Sequence, residues 1–213
     1  MGHIEMVDIK NMESKTDAIK LAQKYFDNKK LYLTDSADIC EHLDVLKKYA
    51  SHADHIIEIG VRTMVSTWAF ILGRPKKLIS VDILSPSHFL KDDGCLLNIV
   101  EEICEKMNID FKFILGDSLE LTLEETELLF IDTVHVYNQL IQELNLHGNK
   151  SKKWIILHDT ESCKNYFEDS TGVIKGGMQD AIDEFLFNNK QWYIKEVYTN
   201  NNGLTILERN DKN

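Results

Sequence analysis

Apolar positions in this chain gather into short runs, and most runs end on a polar or glycine tip. The run at 55–59 closes on Glu58-Ile59-Gly60, passes a short polar turn and resumes as a helical pattern over 64–72. A second run at 77–82 ends on Asp82. This is a strand, a turn that exposes helix N–H groups, a helix, and a strand tipped by a carboxylate, an arrangement that cradles the ribose and polar tail of a nucleoside-type cofactor.

The same alternation continues. Strands are predicted at 111–115, 127–132 and 153–158, and helices at 95–107, 136–146 and 177–188. The helix at 136–146 places Tyr137, Leu140, Ile141 and Leu144 on one face, and the helix at 177–188 does the same with Met178, Ile182, Phe185 and Leu186. Two amphipathic helices, 16–28 and 36–50, precede the first strand; in the second, Ile39, Leu43 and Leu46 recur at helical spacing, with Ser36 as N-cap. At the other end, 192–198 and 203–209 are two strands joined by Thr199-Asn200-Asn201-Asn202, a hairpin signal. The expected fold is α/β: a Rossmann-like, doubly wound, seven-stranded sheet, mostly parallel, closed by a C-terminal antiparallel hairpin. Residues 1–52 are expected to form an N-terminal helical extension, a lid or a dimer face, and 53–213 the Rossmann-like domain.

Composition narrows the partners. The formal net charge is −11, which disfavours nucleic acid. No window approaches a membrane span, and the N-terminus lacks an apolar signal core. The four cysteines show neither CxxC nor zinc spacing, and Cys40 and Cys104 fall in apolar helical patterns. A cytoplasmic protein with free thiols is expected.

Ligands of an open parallel sheet bind beyond the carboxyl ends of its strands. Gly60 permits close backbone approach, and Glu58 either anchors a cationic amino group or fixes the turn. Asp82 suits the two ribose hydroxyls. Asp117 or Ser118, past the third strand, could bond an adenine amine or cap a helix. The fourth and fifth strands end in Asp132, followed by His135, and in His158-Asp159. Two carboxylates with imidazole at adjacent tips suit Mg²⁺, Mn²⁺ or Fe²⁺. A neutral His135 could take a proton from a substrate hydroxyl. Gly172 to Gly177 could bind phosphate, form a lid, or simply enter a helix. His88 and Phe89, in the loop 84–94, could cover a ligand.

These residues resemble the class I S-adenosyl-L-methionine-dependent methyltransferases over 53–209. Glu58-Ile59-Gly60 with Ser66, Phe130-Ile131-Asp132 with His135 and Tyr137, and Leu157-His158-Asp159 are similar to small-molecule and sugar O-methyltransferases. The related groups are the catechol O-methyltransferase, macrolide-sugar O-methyltransferase and cephalosporin hydroxylase types. The resemblance implies S-adenosyl-L-methionine as cofactor, held by Glu58, Gly60, Arg62, Ser66, Asp82, Asp117, Ser118 and Asp132. It implies a divalent metal on Asp132, His158 and Asp159, with Asp132 and His135 catalytic and His135 as base. The substrate would be a small molecule or a sugar, and the protein could form a homo-oligomer. Relatives carry a second glycine in the first turn, where this chain has Arg62-Thr63-Met64-Val65. Either the turn is rebuilt, with Arg62 and Ser66 reaching the methionine part, or cofactor binding is weakened or lost. Two other readings stand beside the methyltransferase: a non-catalytic binding or assembly protein on this fold, and a metal-dependent hydroxylase.

Overall fold

A computed structural model of the chain describes residues 12–28, 35–90, 95–169 and 172–210. In chain order the helices are α1 (Lys15–Asp27), α2 (Leu43–Ala50), α3 (Val65–Gly73), α4 (Pro86–Leu90), α5 (Cys95–Met107), α6 (Tyr137–His147) and α7 (Met178–Asn188). The strands are β1 (His55–Ile59), β2 (Lys77–Asp82), β3 (Asp110–Leu115), β4 (Thr126–Ile131), β5 (Ser151–His158), β6 (Tyr166–Asp169), β7 (Gly172–Lys175), β8 (Trp192–Tyr198) and β9 (Leu204–Arg209).

Seven strands form one sheet in the order β3-β2-β1-β4-β5-β9-β8. The first five are mutually parallel, and β9 pairs antiparallel with both β5 and β8. This is the Rossmann-like architecture the alternating pattern predicts. Side chains on a strand alternate between faces, and both faces here are covered. Ile56 of β1, Leu128 and Phe130 of β4 and Ile156 of β5 join one core with α1, α2, α3 and α5. Their neighbours Ile57, Ile59, Leu129, Ile131, Ile155 and Leu157 join a second core with α6 and α7. That two-sided burial is why these strands read as continuous apolar runs. Helix α3 is buried over Val65–Leu72, wedged between the sheet and the N-terminal helices. Trp68 of α3 stacks on Tyr25 of α1 with ring centroids 4.5 Å apart.

Two local expectations are corrected. Residues 36–50 are not one α-helix: Asp35–His42 is a 3-10 segment leading into α2, so Ser36 lies inside a turn instead of capping a helix. The cause is long-range, because the Glu41 N–H donates to Asn201 Oδ1 and His42 Nε2 to the carbonyls of Asn200 and Asn201. The region 84–94 contains the short helix α4, started by Pro86, whose fixed φ suits the first helical position. Of the readings open for the glycine-containing stretch before α7, the backbone follows the helix entry, with Gly177 as its N-cap. The stretch belongs to the antiparallel ribbon β6–β7, and a Cβ on Gly177 would sit 2.2 Å from the Lys164 carbonyl oxygen.

Candidate active site

Strand order reverses between β1 and β4, since β1 connects onward to β2 on one side and the chain returns to β4 on the other. The connections therefore diverge and leave a crevice above the carboxyl tips. Two compartments occupy it. The larger, about 310 Å³, is lined by the turn Gly60-Val61-Arg62, by Asp82 and Ile83, by Phe89, by Gly116-Asp117-Ser118, and by Asp132, Thr133, Val134 and Gln139. The smaller, about 110 Å³, shares Gly60, Val61, Arg62, Asp132 and Thr133 with it and adds Ile39, Val65, Ser66, His135 and Asp159.

Gly60 makes the junction possible. Its φ is +88°, and a Cβ there would lie 1.9 Å from the Asp132 carbonyl oxygen. Downstream, Arg62 and Met64 take left-handed φ values of 48° and 64°, a conformation that costs non-glycine residues about 1–2 kcal/mol each. The turn is therefore carried by two non-glycine residues in left-handed backbone. Met64 is fully buried among apolar side chains of the first core and lines neither compartment.

Asp82 holds this turn in place. Its Oδ2 accepts from the Val61 and Arg62 N–H groups at 2.8 Å each, and its Oδ1 from Leu84 N–H at 2.9 Å. A carboxylate offers about four lone-pair positions, so acceptor capacity remains on the cleft side. Beyond β3, Asp117 Oδ1 accepts from Leu119 N–H at 2.9 Å, which makes a tight side-chain turn with no helix after it.

Glu58 is placed below the crevice and not on its wall. Fully buried, it accepts hydrogen bonds from Ser66 at 2.5 Å, Thr67 at 2.9 Å and Ser80 at 2.7 Å. Burial pushes its pKa up to about 7 against the pull of those three hydroxyls. Ser66 thus does two things, lining the smaller compartment and bracing Glu58.

The tips of β4 and β5 bring Asp132, His135, His158 and Asp159 together. His135 Nε2 lies 3.1 Å from Asp132 Oδ1 and 2.9 Å from Asp159 Oδ2. His158 Nδ1 lies 3.4 Å and 3.1 Å from the same two oxygens. Because a carbonyl can only accept, His158 Nε2 donates to Asn201 O at 3.2 Å, which turns Nδ1 toward the carboxylates. Burial opposes charge on both rings, and the carboxylates outweigh it, raising both imidazoles well above their ordinary value. Burial likewise opposes charge on Asp132 and Asp159, and the imidazoles hold both below the usual carboxylate range. Asp159 itself adopts φ +58°. Asp132 Oδ1, Asp159 Oδ2 and His158 Nδ1 are close enough to share one cation, and the donor set of two oxygens and one nitrogen fits a hard divalent ion.

Some lining residues escape the sequence reading. Ile39 reaches the smaller compartment from the N-terminal 3-10 segment. Thr133 and Gln139 line the larger one, and behind them lies Glu143, fully buried on α6. One signal pointed to Glu143: it continues the apolar stripe of Leu140 and Leu144, where a carboxylate needs partners.

No family model matches the chain, and no curated protein matches it. Solved structures do. The chain is similar to the SAH-bound methyltransferase PaMTH1 of Podospora anserina, with TM-score 0.56 at 14% identity over 96% of this chain and 93% of that one. It is similar to the O-methyltransferase from Bacillus cereus in complex with SAH, with TM-score 0.53 at 14% identity over 94% of each. It is also similar to the 16S rRNA methylase RmtB, with TM-score 0.53 at 14% identity over 95% of this chain and 78% of that one. Identity this low establishes the fold: the chain has the class I methyltransferase fold, and its chemistry must be argued from its own residues.

Proposed function

We propose that this chain is an S-adenosyl-L-methionine-dependent methyltransferase acting on a hydroxyl group of a small molecule or sugar. The observation that carries the reading is the pair of joined compartments. The larger is walled by Asp82, Asp117 and Asp132, with Arg62 the one basic side chain that lines it among the described residues. An acid-lined cleft repels phosphates and suits a cationic nucleoside whose ribose, amine and ammonium groups are all donors. The smaller compartment opens from the same turn and is lined by Asp132, His135 and Asp159 of the Asp–His cluster. The net charge of −11 favours a small acceptor over nucleic acid.

The residues divide the work as follows. Gly60 and the turn pinned by Asp82 would hold the methionine part, and Asp82 would take the ribose hydroxyls. The remaining residues proposed for the cofactor are Arg62, Ser66, Asp117, Ser118 and Asp132, with Glu58 supporting the turn from beneath. S-adenosyl-L-methionine supplies an electrophilic methyl group on its sulfonium. An acceptor oxygen held in the smaller compartment would form the new C–O bond as the S–CH₃ bond breaks, with the electron pair staying on sulfur. Holding both reactants at near-attack distance provides much of the rate. Asp132, His158 and Asp159 would hold a divalent cation such as Mg²⁺, which when bound lowers the pKa of a hydroxyl and takes up the negative charge that keeps His135 protonated. His135, within reach of both compartments' shared residue Asp132, is then the base that receives the hydroxyl proton.

Titration calorimetry with S-adenosylhomocysteine, with and without Mg²⁺, tests the reading. Saturable binding is expected. No heat and no thermal shift at millimolar ligand would overturn it and support a non-catalytic binding role. The same donor set suits Fe²⁺, so a hydroxylase is the second reading; oxygen uptake after anaerobic Fe²⁺ loading would select it.

A further inference from the structure

Glu143 is a buried carboxylate that the methyl-transfer chemistry does not use. Its Oε1 accepts from Ser118 Oγ at 2.6 Å and from Gln139 Nε2 at 2.9 Å, and its Oε2 accepts from Thr133 Oγ1 at 2.8 Å. All three partners line the larger compartment. One turn further along α6, His147 Nε2 donates to the Ser118 carbonyl at 2.8 Å, so the same helix fixes both ends of that residue.

The consequence lies in where the hydrogens go. A hydroxyl carries one proton. Ser118 and Thr133 both direct theirs at Glu143, which leaves lone pairs for the cleft. Gln139 sends its amide hydrogens to Glu143 Oε1 and, at 3.4 Å, to Ser118 Oγ. The reverse amide orientation would set its oxygen against the carboxylate, so the carbonyl end is the one left for a ligand. Asp117, alongside, contributes acceptors only.

We propose that Glu143 is a positioning residue: by drawing the hydrogens of Ser118, Thr133 and Gln139 inward, it makes this wall an acceptor surface that selects an aminopurine over its oxo counterpart. The inference rests on the reading that the cleft takes a nucleoside. An exocyclic amine finds an acceptor there, whereas a purine oxygen in the same place meets lone pairs and stays unpaired.

The test compares S-adenosylhomocysteine with its deaminated form, S-inosylhomocysteine, by calorimetry on the intact protein. The wild type should prefer the amino form by about 10- to 100-fold, the range expected when a buried group loses its partner. Glu143→Gln presents an amide that can itself donate, and should erase most of that preference. Should Glu143→Gln fail to fold, Gln139→Met serves, because it removes the carbonyl from the wall and should lower the preference about tenfold. Equal binding of both forms by the wild type overturns the inference and leaves the methyltransferase reading standing. So does a Glu143→Gln protein that weakens both forms equally, since a merely structural residue does that. Binding of neither form removes the methyltransferase reading, and this inference with it.

Discussion

Two groups of carboxylates sit at neighbouring strand ends and are held in opposite ways. Glu58, under the β1 turn, is met by three hydroxyls and has its pKa pushed up to about 7. Asp132 and Asp159, at the β4 and β5 tips, are met by two imidazoles and stay ionised. Burial acts against charge in both places. Neutral hydroxyls do not overcome it, and cationic rings do. The choice of partner, more than depth, decides which carboxylates are available for chemistry and which act as supports.

If the tip cluster is the working site and the β1 cluster its support, removing the proton acceptor should have the largest effect. His135→Ala is expected to lower kcat by about 10²–10⁴-fold. Affinity for S-adenosylhomocysteine should stay unchanged. Steady-state kinetics beside calorimetry checks both halves, and an unaltered kcat would remove His135 from the mechanism.

The ionic account of the tip is sharpened by Asp159→Asn. Asparagine tolerates the left-handed backbone that Asp159 adopts, so the substitution isolates the charge. The half-buried His135 and the buried His158 would lose a shared carboxylate oxygen 2.9 and 3.1 Å away. Urea unfolding at pH 7 without added metal should show a loss of about 4 kcal/mol, as for breaking one side of a buried pair. A loss within error of zero would mean that the rings are neutral, and the contrast with Glu58 would collapse.

Glu58→Gln probes the other side. In the folded protein Glu58 holds its proton up to about pH 7, against an ordinary value of 4.5. Between these values the native state binds more protons than the unfolded chain, so stability falls as pH rises. The contribution is fully present below about 4.5 and lost once pH passes about 7. The gap corresponds to about 3 kcal/mol. Glu58→Gln should flatten that part of the stability curve, measured by urea unfolding from pH 4.5 to 8. A mutant curve parallel to the wild type would show that Glu58 titrates normally.

Much of this architecture was legible because it depends on local pattern. Strands covered on both faces read as apolar runs, and the run lengths around Ile56–Ile59 and Leu128–Ile131 leave little choice of element. The unreadable parts depend on partners far away in the chain. Nothing near Glu41 announces that its N–H will bond Asn201, 160 residues on, and so hold 35–42 as a 3-10 segment. Residue types at Arg62 and Met64 argue against left-handed backbone, and only the three N–H groups gathered by Asp82 and the core pocket for Met64 explain why the turn survives without its second glycine. Glu143 went unread although it stands on an apolar stripe, and its partners arrive from the β3 tip, the β4 tip and its own helix. Asp132, His135, His158 and Asp159 could be gathered in advance because adjacent parallel strands bring their tips together whatever the loops do.

The finest test asks whether the three hydroxyls really share the charge of Glu58. Ser80 is fully buried on β2, and its Oγ donates to Glu58 Oε2 at 2.7 Å. In Ser80→Ala that oxygen keeps Thr67 alone. Above pH 7, where Glu58 is ionised, the lost bond is to a charged acceptor and should cost about 1.5 kcal/mol. At pH 5, where Glu58 is protonated, it is a bond between neutral groups and should cost about 0.5 kcal/mol. The titration of Glu58 should move further upward as well, because one of the groups favouring its charged form is gone. Unfolding of Ser80→Ala at pH 5 and pH 8 separates this from simple packing: a small cavity would cost the same at both pH values, whereas a hydroxyl supporting a carboxylate is missed more when the carboxylate carries its charge.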